Sequence, residues 1–128
     1  MNLLLDTHAF IWFLQGDNQL PVPIRNIIAD TGNKCFVSIG SIWEIAIKSS
    51  LGKLTLEGAF SEISGFIHEN EMEVLPITFE HLQILLGLPF HHRDPFDRVI
   101  IAQALAEDLK LISKDQMFKD YQVPILWD

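Results

Sequence analysis

Cys35 is the chain's only cysteine. An internal disulfide is therefore impossible, which excludes a secreted disulfide scaffold, and a zinc ribbon or any other site built on several thiolates is excluded with it. Any bound metal must take oxygen or imidazole ligands. Basic residues are also scarce: 9 Lys and Arg stand against 17 Asp and Glu, a formal charge of −8. Broad, sequence-independent binding to a phosphate backbone needs a surplus of positive charge on some face, and this chain has none to spread. An enzyme that meets nucleic acid at one site is compatible with that balance. Between residues 55 and 92 there are six acids and no Lys or Arg, so that stretch is expected to face away from an anionic ligand. No apolar run approaches the roughly 18 residues of a membrane span, and the opening Met1-Asn2-Leu3-Leu4-Leu5-Asp6 lacks the basic start and long apolar core of a signal peptide. A soluble cytoplasmic protein with no membrane partner is expected. Repeats and low-complexity segments are absent too. What is present is 128 residues, 48% hydrophobic and 20% charged, enough for one domain over residues 1–128 with a sizeable core.

Residues 2–5 are almost wholly apolar and stop at Asp6-Thr7, as in a strand buried on both faces. Thr7 is placed to cap a helix over 8–14 that Gly16 ends; Pro21 and Pro23 introduce a second helix over 24–30. A second strand, 34–38, leads into a helix opened by Ser41 that runs to about Ser50. The stripe Phe60, Ile63, Phe66 and Ile67 predicts a helix over 57–70, and residues 73–77 predict a third strand. Thr78 caps a helix through 86. A loop follows, with Gly87, Pro89 and His91-His92-Arg93, and Asp94-Pro95 starts the strongest helix, ending at Glu107. Residues 109–113 read as a fourth strand, and Val123, Ile125 and Leu126 as a fifth at the edge, after a turn near Asp120. This alternation predicts an α/β fold with a mostly parallel central sheet of four to five strands. Ligands of such sheets bind beyond the carboxyl ends of the strands.

Four acids fall at those ends: Asp6 after the first strand, Glu44 in the first turn of the helix after the second, Asp97 in the first turn of the helix from Pro95, and Asp115 after the fourth. Carboxylates brought together repel, and some take up protons unless a cation compensates. Oxygen ligation without thiolates favours Mg²⁺ or Mn²⁺, ions that activate water and stabilise the charge developing in phosphodiester hydrolysis. Each acid also has a purely structural use. Asp6 can end a strand and favour a helix N-terminus, Glu44 can form a capping box with Ser41, Asp94 and Asp97 can serve the first turn of a helix, and Asp115 can sit in a turn.

Leu4-Leu5-Asp6-Thr7-His8, Ser41-Ile42-Trp43-Glu44-Ile45-Ala46-Ile47-Lys48, and Asp94-Pro95-Phe96-Asp97-Arg98 running into Ile101-Ala102-Gln103-Ala104 and Leu111-Ile112-Ser113-Lys114-Asp115 resemble PIN-domain proteins of the VapC toxin type, in order and over nearly the whole chain. The resemblance implies a three-layer α/β/α sandwich and a Mg²⁺- or Mn²⁺-dependent endoribonuclease that is the toxin of a toxin–antitoxin pair. By position, Asp6, Glu44, Asp97 and Asp115 match the acidic quartet and Thr7 the hydroxyl residue beside its first member. Asp97 rather than Asp94 has the right offset from Ile101-Ala102, and Ser113 stands where many relatives carry Thr. The implied roles give the metal to Asp6 and Asp97, with Glu44 completing the site and orienting the attacking water. Asp115 either binds a second metal or acts beyond direct contact with the ion. Arg98, Lys48 and Lys114 are the candidates to hold the RNA backbone, although Lys48, four residues after Glu44, equally forms an intrahelical pair. An antitoxin and a second copy of the chain are the implied protein partners.

His91 and His92 are expected to face solvent, with RNA contact or proton transfer as the alternative. His8 is expected near the site without being a ligand. Trp12, Trp43 and Phe36 are expected in the core or at a dimer surface, with base stacking the weaker use. A phosphoryl-receiver domain would share the size, acidity and Mg²⁺, but it needs an Asp at the end of the third strand, where this chain has Pro76-Ile77-Thr78. A PIN-like module that only binds protein or RNA is the other rival.

Overall fold

The computed structural model describes Met1–Trp127. Strand β1 (Asn2–Leu5) is followed by helices α1 (Thr7–Gln15) and α2 (Val22–Ala29), then β2 (Lys34–Ser38) and α3 (Ile39–Ser50). A turn of 3₁₀ helix, Phe60–Glu62, leads into α4 (Ile63–Glu69), then come β3 (Glu73–Leu75), α5 (Phe79–Leu86), α6 (Pro95–Glu107) and β4 (Lys110–Ile112). A second 3₁₀ helix, Gln116–Tyr121, precedes β5 (Ile125–Leu126). The five strands form one parallel sheet in the order β3-β2-β1-β4-β5, with Leu5 opposite both Val37 and Ile112. The expected α/β sandwich is therefore present, with the fifth strand at the edge.

Two cores flank this sheet because successive side chains of a strand point to opposite faces. Leu3, Leu5 and Val37 pack with Phe10, Ile24, Ile45 and Ile63 on one face. Leu4 and Leu111 pack with Ile100, Ile101, Phe118 and Tyr121 on the other. Chain direction across the sheet reverses at β1, since β2 and β3 lie to one side and β4 and β5 to the other. A crevice thus opens past the carboxyl ends of β1 and β4. No helix of the described residues is long and apolar enough to cross a membrane.

Several boundaries differ from the sequence expectation, each for a local reason. Asp6, not Thr7, caps α1: its Oδ1 accepts from the Ala9 N–H at 2.8 Å, and Gly16 closes the helix at φ +64°, which favours a residue without a side chain. Ser38 caps α3, its hydroxyl accepting from the Gly40 N–H at 3.0 Å, so the helix begins two residues before Ser41 and Glu44 lies in its second turn. The helix expected over 57–70 starts only near residue 60. Gly58 weakens its first turn, and the Glu57 N–H is taken by the Gln15 side chain at 3.0 Å. Strand β3 stops at Leu75 because Pro76 has no N–H to donate.

Asp94 caps α6 as expected, Oδ1 accepting from Phe96 at 2.8 Å and Asp97 at 3.3 Å. Asp94→Ala is expected to lower the urea-unfolding free energy by about 1 kcal/mol, while Asp94→Asn keeps most of it because Asn caps nearly as well. Equal losses in the two variants would show that the cap contributes nothing.

Candidate active site

The carboxyl edge of the sheet collects the four acids from distant parts of the chain. Asp6 is fixed by its capping bond at the end of β1 and is buried, which raises its pKa; the Ser113 hydroxyl, the Ala9 N–H and His8 oppose that rise, and Asp115 adds to it. Asp97 opens α6 under the Asp94 cap, and its pKa is pushed up to about 7. Burial is the main cause, and the charges of Asp94, Glu44, Asp6 and Asp115 follow. The charges of all three other members of the quartet thus bear on Asp97.

Glu44 is 4% exposed. The Thr7 hydroxyl donates to its Oε1 at 2.8 Å and is hydrogen-bonded to Ser41 Oγ at 2.9 Å, while the Lys48 ammonium donates to Oε2. The capping box of Ser41 with Glu44 does not form, since Ser38 already caps the helix and Ser41 is turned toward Thr7. The bond that Lys48 donates to Glu44 raises the Lys48 pKa against the cost of burial, helped by the charges of Glu44, Asp94 and Asp97. Lys48 therefore stays cationic beside the acids. Thr7→Val removes a donor from a buried carboxylate of nearly unchanged shape, and a loss of about 1–2 kcal/mol in unfolding free energy is expected. Thr7→Ser, which keeps the hydroxyl, should recover most of it; no loss in Thr7→Val would mean the bond is energetically idle.

Asp115 caps the second 3₁₀ helix through Oδ1, which accepts from Met117 at 2.9 Å, and its own N–H donates to Ser113 Oγ at 3.0 Å. Its Oδ2 lies 3.2 Å from His92 Nε2. Ligand atoms from His92, Asp97 and Asp115 all lie within 4.8 Å of one another.

Three expectations change here. Arg98 does not face RNA: it is 6% exposed, and its guanidinium donates to the carbonyls of Pro89 at 2.9 Å, Leu85 at 3.1 Å and Leu88 at 3.4 Å and stacks over Phe90. Its place on the inner side of α6 turns it under the preceding loop. His92 does not face solvent either. Its side chain is 8% exposed, its ring lies against Phe118 and Tyr121, and its N–H donates to the Tyr121 hydroxyl at 2.6 Å. Trp43 is 59% exposed and edge-on to Phe96, which removes the core from the places expected for it and leaves a dimer surface or base stacking. His91, His8 and Lys114 are exposed, while Trp12 and Phe36 are partly buried. His92 was the residue hardest to single out from sequence, because the aromatic residues that bury it lie more than twenty positions further along the chain.

A cleft of about 250 Å³ adjoins Glu44, lined by Thr7, His8, Trp12, Lys48 and Lys53 among others. It sets lysines and a ring beside the acids.

The donor set fits a divalent ion. Burial raises the pKa of both Asp6 and Asp97, and the charges of neighbouring acids add to the rise, a conflict that a doubly charged cation removes. Carboxylate oxygens are ligands that Mn²⁺ and Mg²⁺ accept.

Three solved structures share the fold. VapBC2 from Rickettsia felis, bound to a DNA fragment from its promoter, superposes with a TM-score of 0.69 at 17% identity, covering 100% of both chains. FitAcB from Neisseria gonorrhoeae gives 0.68 at 18% identity over 97% of this chain and 96% of that one. A toxin–antitoxin complex from Klebsiella pneumoniae gives 0.57 at 16% identity over 88% and 86%. No curated protein matches the sequence. The PIN domain family model matches residues 3–124, nearly the full length, and so the chain belongs to the PIN domain family.

Proposed function

We propose that this single PIN domain is an endoribonuclease dependent on Mg²⁺ or Mn²⁺, the toxin of a toxin–antitoxin pair acting in the cytoplasm. The observation that supports this reading is that the charges of Asp6, Glu44 and Asp115 all bear on Asp97, whose carboxyl is pushed up to about 7. Capping alone would not bring these acids together. Asp6, Asp97 and Asp115 would hold the ion and Glu44 would complete the site. When bound, the ion lowers the pKa of a water and neutralises charge on the phosphate in the transition state.

The remaining work falls to the chain's own groups. Glu44 is immobilised by Thr7 at Oε1 and by Lys48 at Oε2, so its carboxylate is oriented in advance to align the attacking water. Lys48 and Lys53 line the adjoining cleft and, with the exposed Lys114, supply the positive charge that draws an RNA backbone toward an acidic centre. Ser113 supports two members of the quartet through its bond from Asp115 and its place beside Asp6. An antitoxin and a second copy of the chain are the proposed protein partners. The toxin–antitoxin complex among the similar structures supports the first, and exposed apolar residues such as Phe79, 91% exposed on α5, give such partners a surface to cover.

The test is purified protein, freed of bound partner, incubated with total cellular RNA and Mn²⁺ or Mg²⁺, with cut ends mapped by sequencing. Discrete cuts that disappear with a chelator are expected. Protein that binds Mn²⁺ yet leaves all RNA intact would turn the assignment toward a binding module.

A further inference from the structure

We propose that His92 is a nitrogen ligand of the divalent ion, binding it together with Asp97 and Asp115. The proposal rests on the metal-dependent reading above and makes the centre a mixed imidazole–carboxylate site instead of an all-oxygen one.

Geometry supplies the first argument. Donor atoms on adjacent corners of an octahedron with bonds of about 2.1 Å lie about 3 Å apart. His92 Nε2 and Asp115 Oδ2 are 3.2 Å apart, and an Asp97 oxygen joins them within 4.8 Å. An ion can enter this trio with small side-chain movements.

Orientation supplies the second. The His92 ring is held between its neighbours, with centroids 4.8 Å from Phe118 and 5.4 Å from Tyr121, while the Tyr121 hydroxyl accepts from its backbone. A solvent-facing loop histidine would have none of these restraints. Here they aim Nε2 at the acids before any ion arrives.

Proton placement supplies the third. Among the described residues nothing bonds the buried Nδ1 of His92. No acceptor or donor there dictates the tautomer, so the ring can carry its proton on Nδ1 and offer the Nε2 lone pair to a metal. Asp115 keeps its capping bond through the other oxygen, Oδ1, leaving Oδ2 for the same ion. Glu44 is engaged on both oxygens by Thr7 and Lys48, which shifts the favoured ion position toward the His92 end of the crevice. An imidazole in the donor set favours Mn²⁺ over Mg²⁺, which prefers oxygen alone.

The experiment is pulsed electron paramagnetic resonance on the full chain with one equivalent of Mn²⁺, read for modulation by a directly coordinated ¹⁴N nucleus. Wild-type protein should show it, and uniform ¹⁵N-histidine labelling should change its frequency without any substitution. His92→Gln should lose the modulation, weaken Mn²⁺ binding at least about tenfold and narrow the preference for Mn²⁺ over Mg²⁺. His8→Gln, a change at the other histidine near the acids, should retain the modulation. Bound Mn²⁺ without nitrogen modulation in the wild type overturns the assignment of His92 and leaves the nuclease reading standing. A free-Mn²⁺ signal undiminished by protein overturns both.

Discussion

Asp97→Asn is expected to abolish RNA cleavage, by at least about a thousandfold, while making the metal-free protein more stable at neutral and alkaline pH. The first effect follows from the proposed function, in which Asp97 supplies a charged oxygen where the ion and the reacting phosphate would meet. The second follows from linkage. The Asp97 carboxyl has its pKa raised from 3.8 to about 7 in the folded chain by burial and by the charges of Asp94, Glu44, Asp6 and Asp115. Folding therefore takes up protons at this group. Its contribution to stability is full below its unfolded pKa and is lost as the pH climbs through about 7. Asparagine removes the repulsion altogether. After allowance for the solvent that still reaches this side chain, the gain at pH 8 is about 1–2 kcal/mol, or about 5 °C in melting temperature. Calorimetry of both proteins from pH 4 to 8 in chelator checks it: the curves should nearly meet at pH 4, draw apart as the pH rises toward about 7, and keep a constant gap above it. Curves that stay parallel would show that Asp97 ionises freely.

Arg98→Met should cost about 2–4 kcal/mol of unfolding free energy. It strips the donors from three carbonyls, those of Leu85, Leu88 and Pro89, and removes the cation stacked on Phe90. These bonds tie the loop after α5 to α6 and so hold the segment that presents His92 and Asp94. Because Arg98 reaches no phosphate, Arg98→Met in the Asp97→Asn background should leave the salt dependence of RNA binding unchanged. Lys114→Gln in that background should reduce the slope of log K against log salt by about 0.7. Filter binding across a salt series, paired with urea denaturation, separates the two roles. A shallower slope for Arg98→Met would restore it to the RNA-facing side.

Arg98 also marks where sequence reading reached its limit. The order of strands and helices was legible because the apolar periods are clean: residues 2–5 and 34–38 matched β1 and β2 residue for residue, as did the Asp94-Pro95 start of α6. The positions of Asp6, Asp97 and Asp115 were legible because each follows a strand or opens a helix, whereas Glu44, expected in a first turn, lies in the second turn of α3. Spacing does not reveal which way a charged residue on a helix turns when a loop folds back over it, so the side chains of Arg98, expected to hold RNA, and of His92, expected in solvent, both lie buried. Caps were ambiguous for a similar reason. Thr7 and Ser41 are good capping residues, yet Asp6 and Ser38, one and three positions earlier, took those bonds and freed both hydroxyls to meet beside Glu44.

Strand β1 lies against β4, and the Asp6 N–H donates to the Ile112 carbonyl at 3.0 Å. The first acid of the crevice and the last are thus joined only when the two ends of the chain meet, the most distant pairing in the sheet and the costliest to close. During synthesis the proposed site cannot assemble until β4 and Asp115 have been made, more than a hundred residues after Asp6. A fragment cut short by failed translation would carry Asp6, Glu44 and even Asp97 without the strand that brings them into register. If the proposed reading holds, this topology withholds the full acid set from RNA until β4 has paired with β1.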